Sequence, residues 1–232
     1  MTGVFDSGRG AYNTAEFLKV LLPTEPVRIL TDRANAPFGT KSREELLPIL
    51  RSNLLRLDSL GANIKLVACC TMSSLLPYLN EEERRGALGV VEPTARAALR
   101  LTRNGRIAVI ATERTVSEGA FSKQITGITP SVAVTELVAS ELVGIAERGG
   151  PLSREDGDEI ARVCRLVRAC SADTLILGCT HFSSLRKQIK SLLPDILVAD
   201  SAREGAAALV PYIKTKEKKK WQNTEEEELT RR

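Results

Sequence analysis

The sequence is poor in side chains that several common classes of function require. It holds one histidine among 232 residues, and aromatic residues make up only 4%. A histidine-rich metal site is therefore excluded, and a surface that stacks nucleic-acid bases is not expected. No apolar run approaches the roughly 20 residues that a membrane span needs. These absences favour a partner that is a small molecule rather than a nucleic acid or a membrane.

Cysteine is also sparse, and its number is odd. The five cysteines cannot all pair, and the adjacent Cys69 and Cys70 lack the spacing of a common metal site. We interpret Cys164 and Cys170, six residues apart on a predicted helix, as structural. Unpaired thiols, together with an N-terminus that lacks the apolar segment of a signal peptide, predict a cytoplasmic protein.

The net charge of +4 does not indicate a nucleic-acid surface, because the charges of the main body nearly balance. A charged C-terminal tail over residues 214–232 holds seven Lys or Arg and five Glu, which leaves 26 basic and 24 acidic side chains elsewhere. A tail of this composition is typical of a solvated helical extension or of a disordered segment.

One motif occurs twice in the chain. The first cysteine motif is LVACCTMSSL at residues 66–75, and the second cysteine motif is ILGCTHFSSL at residues 176–185. Each has an apolar run, a small residue, a cysteine and a closing Ser-Ser-Leu, and Cys69 and Cys179 lie 110 residues apart. Two thiols at equivalent points of two related halves predict a site with one thiol on each side of a substrate.

The order of apolar and amphipathic segments predicts an α/β protein with two pseudo-symmetric domains, each a parallel sheet flanked by helices. Candidate strands span residues 3–5, 27–31, 64–68, 88–91, 107–111, 132–135, 174–177 and 196–199. Candidate helices span residues 13–22, 42–60, 74–83, 93–102, 117–125, 136–147, 154–170, 183–193 and 202–213. We expect residues 1–92 with 200–213 to form the first domain and residues 93–199 the second, with the active site in the cleft between them.

Each motif cysteine follows a predicted buried strand and precedes a predicted helix. Ligands of parallel sheets bind at the carboxyl ends of strands, and a helix N-terminus offers free N–H donors. Such a position is expected to stabilise the reactive thiolate of Cys69 and Cys179 and to hold a substrate carboxylate. The alternative is that both are packed thiols, but packing alone does not require matched polar neighbours.

Further candidates follow the first strand and the second cysteine. Asp6 could orient or deprotonate a thiol, and Ser7 could bind a substrate, although an aspartate here could also serve only a turn. Gly8 and Gly10 are half of a dinucleotide-binding pattern whose third glycine is replaced by Asn13, so nicotinamide binding is not expected. His181 could shuttle a proton or hold Cys179 in its active state; the alternative is a structural histidine.

Six segments in this order together resemble the glutamate racemases of the aspartate/glutamate racemase superfamily over about residues 3–213. The segments are GVFDSG at 3–8, PFG at 37–39, ACCT at 68–71, GVVEP at 89–93, ATERTVS at 111–117 and LGCTHF at 177–182. The Gly-Cys-Thr-His sequence at 178–181 distinguishes glutamate racemases from aspartate racemases, which usually carry an acidic residue in place of the histidine.

The resemblance implies an isomerase that racemises glutamate without a cofactor or a metal, to supply D-glutamate for peptidoglycan, cell-wall biogenesis and cell shape. It implies that Cys69 and Cys179 are the two acid/base residues, with Asp6 beside the first, His181 beside the second and Glu147 supporting the histidine. The positions that match substrate-binding residues are Ser7, Phe38, Gly39, Cys70, Thr71, Thr115 and Thr180. Members of the family are often homodimers.

Several residues depart from the usual pattern of the family, among them Arg9, Ala11 and the pair Ala139-Ser140. Cys70 stands where asparagine is usual, and Phe38 and Phe182 stand where tyrosine is usual. These changes leave two alternatives open: a racemase of aspartate or of another amino acid, and a paralogue that binds an amino acid without turnover. A one-thiol decarboxylase is disfavoured because both cysteines are present.

Overall fold

The computed structural model describes the backbone of residues 1–230 and the side chains of residues 1–215. The predicted charged tail therefore falls mostly outside the described side chains. Its backbone continues the last helix as far as Thr230. Within the described residues, no helix is long and apolar enough to cross a membrane.

The first sheet is formed by residues before position 90. It has four parallel strands in the order β2-β1-β3-β4. These strands are β1 (Thr2–Asp6), β2 (Val27–Thr31), β3 (Ile64–Val67) and β4 (Ala87–Gly89). The helices of this half are α1 (Arg9–Leu21), α2 (Arg43–Ser59) and α3 (Cys70–Ser73), with 3₁₀ turns at Phe38–Thr40 and Leu76–Tyr78.

The second sheet repeats this arrangement, with four parallel strands in the order β6-β5-β7-β8. Its strands are β5 (Arg106–Ala111), β6 (Ala133–Val138), β7 (Thr174–Gly178) and β8 (Leu197–Asp200). The remaining helices are α4 (Val91–Leu101), α5 (Glu113–Ser117), α6 (Ala120–Ile128), α7 (Glu141–Arg148), α8 (Arg154–Ala169), α9 (Arg186–Leu192) and α10 (Ser201–Thr230), with a 3₁₀ turn at Thr180–Leu185. The predicted α/β fold with two parallel sheets is confirmed.

The strands that carry the cysteine motifs are buried along their whole length. Every residue of β3 and β7 is buried, as are all residues of β1, whereas the edge strand β6 has exposed positions. Strands covered by helices on both faces read as continuous apolar runs. One apolar cluster contains Leu66 of the first sheet and Ile176 of the second, so the two halves share part of their core.

Three of the predicted helices include residues that adopt a different secondary structure. Residues 74–83 contain only the short 3₁₀ turn, because Pro77 lacks an N–H donor and disfavours helical geometry in the residue before it. Residues 183–185 belong to a 3₁₀ turn, and α9 begins only at Arg186. Residues 136–138 lie in the strand β6 and not in a helix. The Glu136 carboxylate there accepts hydrogen bonds from the N–H and the hydroxyl of Ser122 in α6.

Candidate active site

Most of the predicted site residues lie at the carboxyl ends of the central strands of both sheets, whereas Glu147 lies in α7 and Phe38 and Gly39 lie in the 3₁₀ turn after β2. Asp6 ends β1, Cys69 lies two residues after β3, and Cys179 follows β7 directly. Thr112, at the equivalent end of β5, caps α5 by accepting the N–H of Thr115. Hydrogen bonds join the two sheets at these ends, between Thr180 and Asp6 and between Thr71 and Thr112. The polar edge of the first sheet therefore faces that of the second.

Cys179 lies at one end of a chain of three polar side chains. Its Sγ is 3.6 Å from Nδ1 of His181, and Nε2 of the same ring is 2.6 Å from Oε1 of Glu147. His181 is buried, with 3% of its surface exposed. The ring is thus held between a thiol and a carboxylate, an arrangement that fixes its orientation and favours its charged form.

The pKa values of this pair move in opposite directions. Burial opposes the charged imidazole, but the Cys179 thiolate and the hydrogen bonds to Cys179 and Glu147 raise the pKa of His181 to about 11. The hydrogen bond from His181, assisted by the N–H of Arg9, lowers the pKa of Glu147 to about 2. Both shifts favour the charged form of the group concerned, so His181 and Glu147 stabilise each other as an ion pair.

Glu147 also joins the second half of the molecule to the first. The N–H of Arg9 at the start of α1 donates to Oε1 of Glu147 over 2.8 Å. A Cβ on Gly8, the residue before α1, would overlap this same oxygen. The carboxylate consequently occupies space that only glycine leaves free, at a helix end that favours negative charge.

Asp6 is held by donors from both halves. Its Oδ1 accepts hydrogen bonds from Ser7 Oγ at 3.1 Å and from the N–H of Gly8 at 3.0 Å, and its Oδ2 accepts one from Thr180 Oγ1 at 2.9 Å. Nδ1 of His181 lies 4.0 Å from Oδ1. The fully buried Asp6 is thus fixed between the two cysteine motifs.

Cys69 has surroundings of the opposite kind. It is buried at the N-terminal cap of α3, and the N–H of Met72 points to its sulfur. Burial is the largest effect and the Asp6 carboxylate the next, and together they raise the pKa of Cys69 well above its usual range. The expectation that the helix end stabilises a thiolate is therefore wrong for Cys69, because one four-residue helix does not outweigh burial beside a carboxylate.

Three threonine hydroxyls form a second contact between the halves. Thr71 Oγ1 lies 3.1 Å from Thr112 Oγ1 and 3.0 Å from Thr115 Oγ1, and Thr112 and Thr115 are 2.9 Å apart. All three are buried. Since each hydroxyl can both donate and accept, this cluster, here called the threonine cluster, can turn its donors toward an anionic group.

The other predicted substrate-binding positions surround this cluster. Gly39 packs on Thr112, where a Cβ would come within 2.9 Å of the threonine side chain. Phe38 is buried with its ring 6.1 Å from that of Phe5. Cys70 is buried with its thiol near the Ser201 hydroxyl, and burial and the nearby Cys179 charge raise its pKa well above the usual range.

The structure thus brings the predicted residues together in two groups. Asp6, Ser7, Glu147, Cys179, Thr180 and His181 form one group, and Thr71, Thr115 and Gly39 form the other around Thr112. Cys69 and Cys70 come just before Thr71 of the second group in the chain, and the charge of Cys179 in the first group contributes to the raised pKa of each thiol. Phe38 adjoins the second group through Gly39.

Three residues of this site are absent from the predicted set, although the place of Thr112 between a strand end and a helix makes substrate contact plausible from the sequence. Thr112 completes the threonine cluster, Asn13 donates to the carbonyl oxygen of Thr180 over 2.8 Å, and a Cβ on Gly10 would lie 2.6 Å from Oδ2 of Asp6. The strand-end position of Thr112 was a usable signal. The role of Asn13 depends on a contact with Thr180, which lies 167 positions away in the chain. The role of Gly10 depends on the close approach of both Thr180 and Asp6.

Both motif cysteines are nearly closed to solvent. A cavity of about 490 Å³ lies elsewhere, beside α3, α4 and α10, and none of the predicted site residues lines it. Cys69 and Cys179 are each 7% exposed. Among the described residues, no group of three or more His, Cys, Asp or Glu side chains is arranged to hold a metal ion.

Comparison with known proteins gives one consistent result. The sequence model of the Asp/Glu/Hydantoin racemase family matches residues 15–209. Glutamate racemase from Gloeobacter violaceus is 38% identical, over 90% of this chain and 80% of the relative. The crystal structure of glutamate racemase isoform RacE1 from Bacillus anthracis superposes with a TM-score of 0.86 at 28% identity, covering 93% of this chain and 82% of that one.

A second solved structure is glutamate racemase from Escherichia coli, in complex with L-glutamate and the activator UDP-MurNAc-Ala. It superposes with a TM-score of 0.72 at 27% identity, covering 89% of this chain and 80% of that one.

Proposed function

Because the chain belongs to the Asp/Glu/Hydantoin racemase family, and is thus an amino-acid racemase, we propose that it interconverts L- and D-glutamate without a cofactor. Glutamate is the substrate of its similar relatives, and the Escherichia coli structure holds L-glutamate. The product D-glutamate would serve as a peptidoglycan precursor in the cytoplasm.

The observation that carries this proposal is the contrast between two thiols on equivalent strand ends. The Cys179 sulfur lies 3.6 Å from the imidazole of His181, whose pKa is raised, whereas burial and the Asp6 carboxylate raise the pKa of Cys69. We therefore assign Cys179 as the base and Cys69 as the acid of the reaction that starts from L-glutamate, and the two exchange roles in the reverse direction.

The proposed reaction uses both groups once per turnover. The Cys179 thiolate removes the α-proton from one face of the amino acid and becomes a thiol. The Cys69 thiol gives its proton to the opposite face of the resulting carbanion and becomes a thiolate. The product has inverted configuration, and the thiols return to their starting states by exchanging protons with solvent or by catalysing the reverse reaction.

The α-hydrogen of an amino acid is a weak acid, so the enzyme must stabilise the carbanion strongly. Fixed N–H and O–H donors in a site closed to water provide such stabilisation. The N–H groups of the first turn of α3 and the hydroxyls of the threonine cluster are the donors that we assign to the α-carboxylate. The Thr180 hydroxyl donates to Asp6, so we assign its oxygen as an acceptor for the α-ammonium. Ser7 and the Phe38-Gly39 backbone are assigned to the remainder of the substrate.

Substrate entry requires the closed site to open. We propose that residues 1–92 with 200–213 form one domain and residues 93–199 the other, and that the two separate at the polar strand ends. A homodimer is proposed on the family resemblance alone, and size-exclusion chromatography with light scattering would test it.

A second candidate is racemisation of a different amino acid. Cys70 cannot offer the hydrogen bonds of an amide, and the buried Phe38 has no hydroxyl. Both residues adjoin the proposed binding groups, so a smaller or less polar substrate is the alternative that they favour.

The test is α-hydrogen exchange in D₂O under reducing conditions. Purified protein is incubated separately with L-glutamate and L-aspartate, and the products are followed by NMR and chiral chromatography. Deuterated D-glutamate supports the proposal. Turnover of aspartate alone would show that the substrate is aspartate and not glutamate. Binding of an amino acid measured by calorimetry, without α-hydrogen exchange, would indicate a non-catalytic paralogue.

A further inference from the structure

A buried carboxylate outside the proposed chemistry binds cations from both halves of the molecule. Glu118 has only 3% of its side chain exposed. Its Oε1 accepts hydrogen bonds from Arg43 at 2.9 Å and from the Tyr78 hydroxyl at 2.5 Å, and its Oε2 accepts one from Arg114. Lys123 Nζ lies 3.8 Å from Oε1. The mechanism proposed above gives none of these groups a role.

The partners of Glu118 come from different parts of the chain. Arg43 begins α2 and Tyr78 ends the 3₁₀ turn after α3, both in the first half. Arg114 lies in α5, four residues before Glu118 and in the same half. The guanidinium of Arg43 also stacks on the Tyr78 ring, 4.1 Å from its centroid. The carboxylate therefore binds one guanidinium across the halves and one within its own.

These contacts adjoin the elements that close the site. Glu118 is the C-terminal cap of α5, the helix that contains Thr115 of the threonine cluster. Arg43 follows the 3₁₀ turn at Phe38–Thr40 by three residues, and that turn places Gly39 against Thr112. A displacement of α5 relative to α2 would thus separate the threonine cluster.

Removing the carboxylate would do more than delete a hydrogen bond. Arg43 and Arg114 would then face each other as like charges from opposite halves, with Lys123 nearby. Partly buried charges are screened much less than exposed ones, and the loss of one partner leaves the others uncompensated. An exposed pair within one helix, such as Glu159 and Arg162 of α8, has no such consequence.

We propose that Glu118 is a positioning residue that holds the two halves closed over Cys69 and Cys179. The proposal deepens the racemase function and rests on it for its kinetic consequences only. Neutralising Glu118 shifts the population toward an open form, and a substrate that binds the closed form then has a lower apparent affinity. Once saturated with substrate, the variant still closes and reacts.

The first test measures closure without substrate. Wild type and Glu118→Gln are treated with iodoacetamide, and labelling of each cysteine is followed by mass spectrometry. We expect the labelling rates of Cys69 and Cys179 to rise about tenfold, a change that corresponds to a tenfold shift of the closed–open equilibrium. Cys164, buried in the core of the second half, is expected to keep its rate and serves as the internal control.

Two further variants separate contacts across the halves from contacts within one half. Arg43→Ala removes the ion pair across the halves without leaving two facing cations, so it is expected to raise the labelling of Cys69 and Cys179 in the same direction as Glu118→Gln but by less. Arg114→Ala removes a contact within α5 and is expected to leave the labelling of Cys69 and Cys179 near the wild-type rate. Glu159→Gln, which breaks the exposed pair in α8, is the matched control.

The kinetic test uses the same variants with glutamate. Glu118→Gln is expected to raise KM by at most about twofold and to leave kcat nearly unchanged, because a tenfold shift from a mostly closed enzyme still leaves at least about half of the molecules closed. Unchanged labelling of Cys69 and Cys179 would overturn the proposal, and so would a parallel rise at Cys164, which would indicate general destabilisation. If wild type turns over no glutamate, the proposed function fails, and the labelling result still decides the role of Glu118.

Discussion

The two cysteine motifs occupy equivalent positions in two similar sheets, yet their surroundings differ in charge. When the motifs are aligned, Thr71 of the first corresponds to His181 of the second. Thr71 joins the threonine cluster, whereas His181 joins Glu147 and Cys179. The repeated fold therefore determines where each thiol lies, and the difference between Thr71 and His181 gives an imidazole partner to Cys179 alone.

The largest effect is expected when either thiol is removed. Cys69→Ser and Cys179→Ser should each reduce racemisation about 10²–10⁴-fold, because a positioned acid or base contributes a factor of this size. The measurement is kcat with glutamate by chiral chromatography. Cys170→Ser, which changes a half-exposed cysteine outside the site, should retain wild-type turnover. Wild-type activity in Cys69→Ser or Cys179→Ser would contradict the two-thiol mechanism.

A smaller effect should follow when the imidazolium loses its carboxylate. Glu147→Gln should lower the His181 pKa and reduce kcat/KM about tenfold, near the lower end of the range for acid–base assistance. Because the equilibrium constant of racemisation is 1, kcat/KM must fall equally for both isomers. Unequal losses would show that an assay does not report racemisation alone.

The same pair predicts how stability depends on pH. The pKa of His181 is raised, so its stabilisation is complete below its ordinary value and is lost as the pH rises toward about 11. The pKa of Glu147 is lowered, so its stabilisation is present above its ordinary value and is lost as the pH falls toward about 2. Melting temperatures of wild type across alkaline pH should therefore fall more steeply than those of Glu147→Gln.

A weaker change in the same direction should follow from filling the space before α1. The Cβ of Gly8→Ala would overlap Glu147, whose flexible side chain can move away from His181. We expect kcat/KM to fall about threefold, by less than in Glu147→Gln, with little loss of stability. Gly157→Ala in α8 meets no atom within 4 Å and is the matched control. A melting temperature that falls sharply in Gly8→Ala alone would show that Glu147 cannot move.

The smallest effect is expected at the third buried thiol. Cys70→Ser should raise KM for glutamate about threefold and leave kcat within the same factor, since its thiol adjoins Ser201 and has no assigned role in proton transfer. A loss as large as that of Cys69→Ser would instead make Cys70 the acid of the first half.

Much of the fold could be predicted from the sequence because its central strands are buried on both faces. All eight predicted strands occur, with ends shifted by a few residues, since apolar β-branched runs indicate such strands directly. The segments after the cysteines were harder to predict. Pro77 ends the helical pattern of the first, and the 3₁₀ turn at Thr180–Leu185 has no periodic signal of its own.

The residue types of the candidate site could be read from the motifs, but its electrostatics could not. The raised pKa of Cys69 depends on burial and on Asp6, which lies 63 positions earlier in the chain. The contacts of Glu147 with Arg9 and of Glu118 with Arg43 join residues 138 and 75 positions apart. Such distant pairs follow from how the two sheets pack, and no local pattern records them.

The central claim is that two monoprotic thiols act on opposite faces of the substrate. The most direct test is the position of deuterium after brief reaction of wild type with L-glutamate in D₂O. The account predicts deuterium at the α-carbon of the D-glutamate formed and almost none in the recovered L-glutamate, because Cys179 can return only the proton that it removed. Equal deuteration of recovered substrate and product would indicate a single base that exchanges with solvent, and it would contradict the two-thiol account.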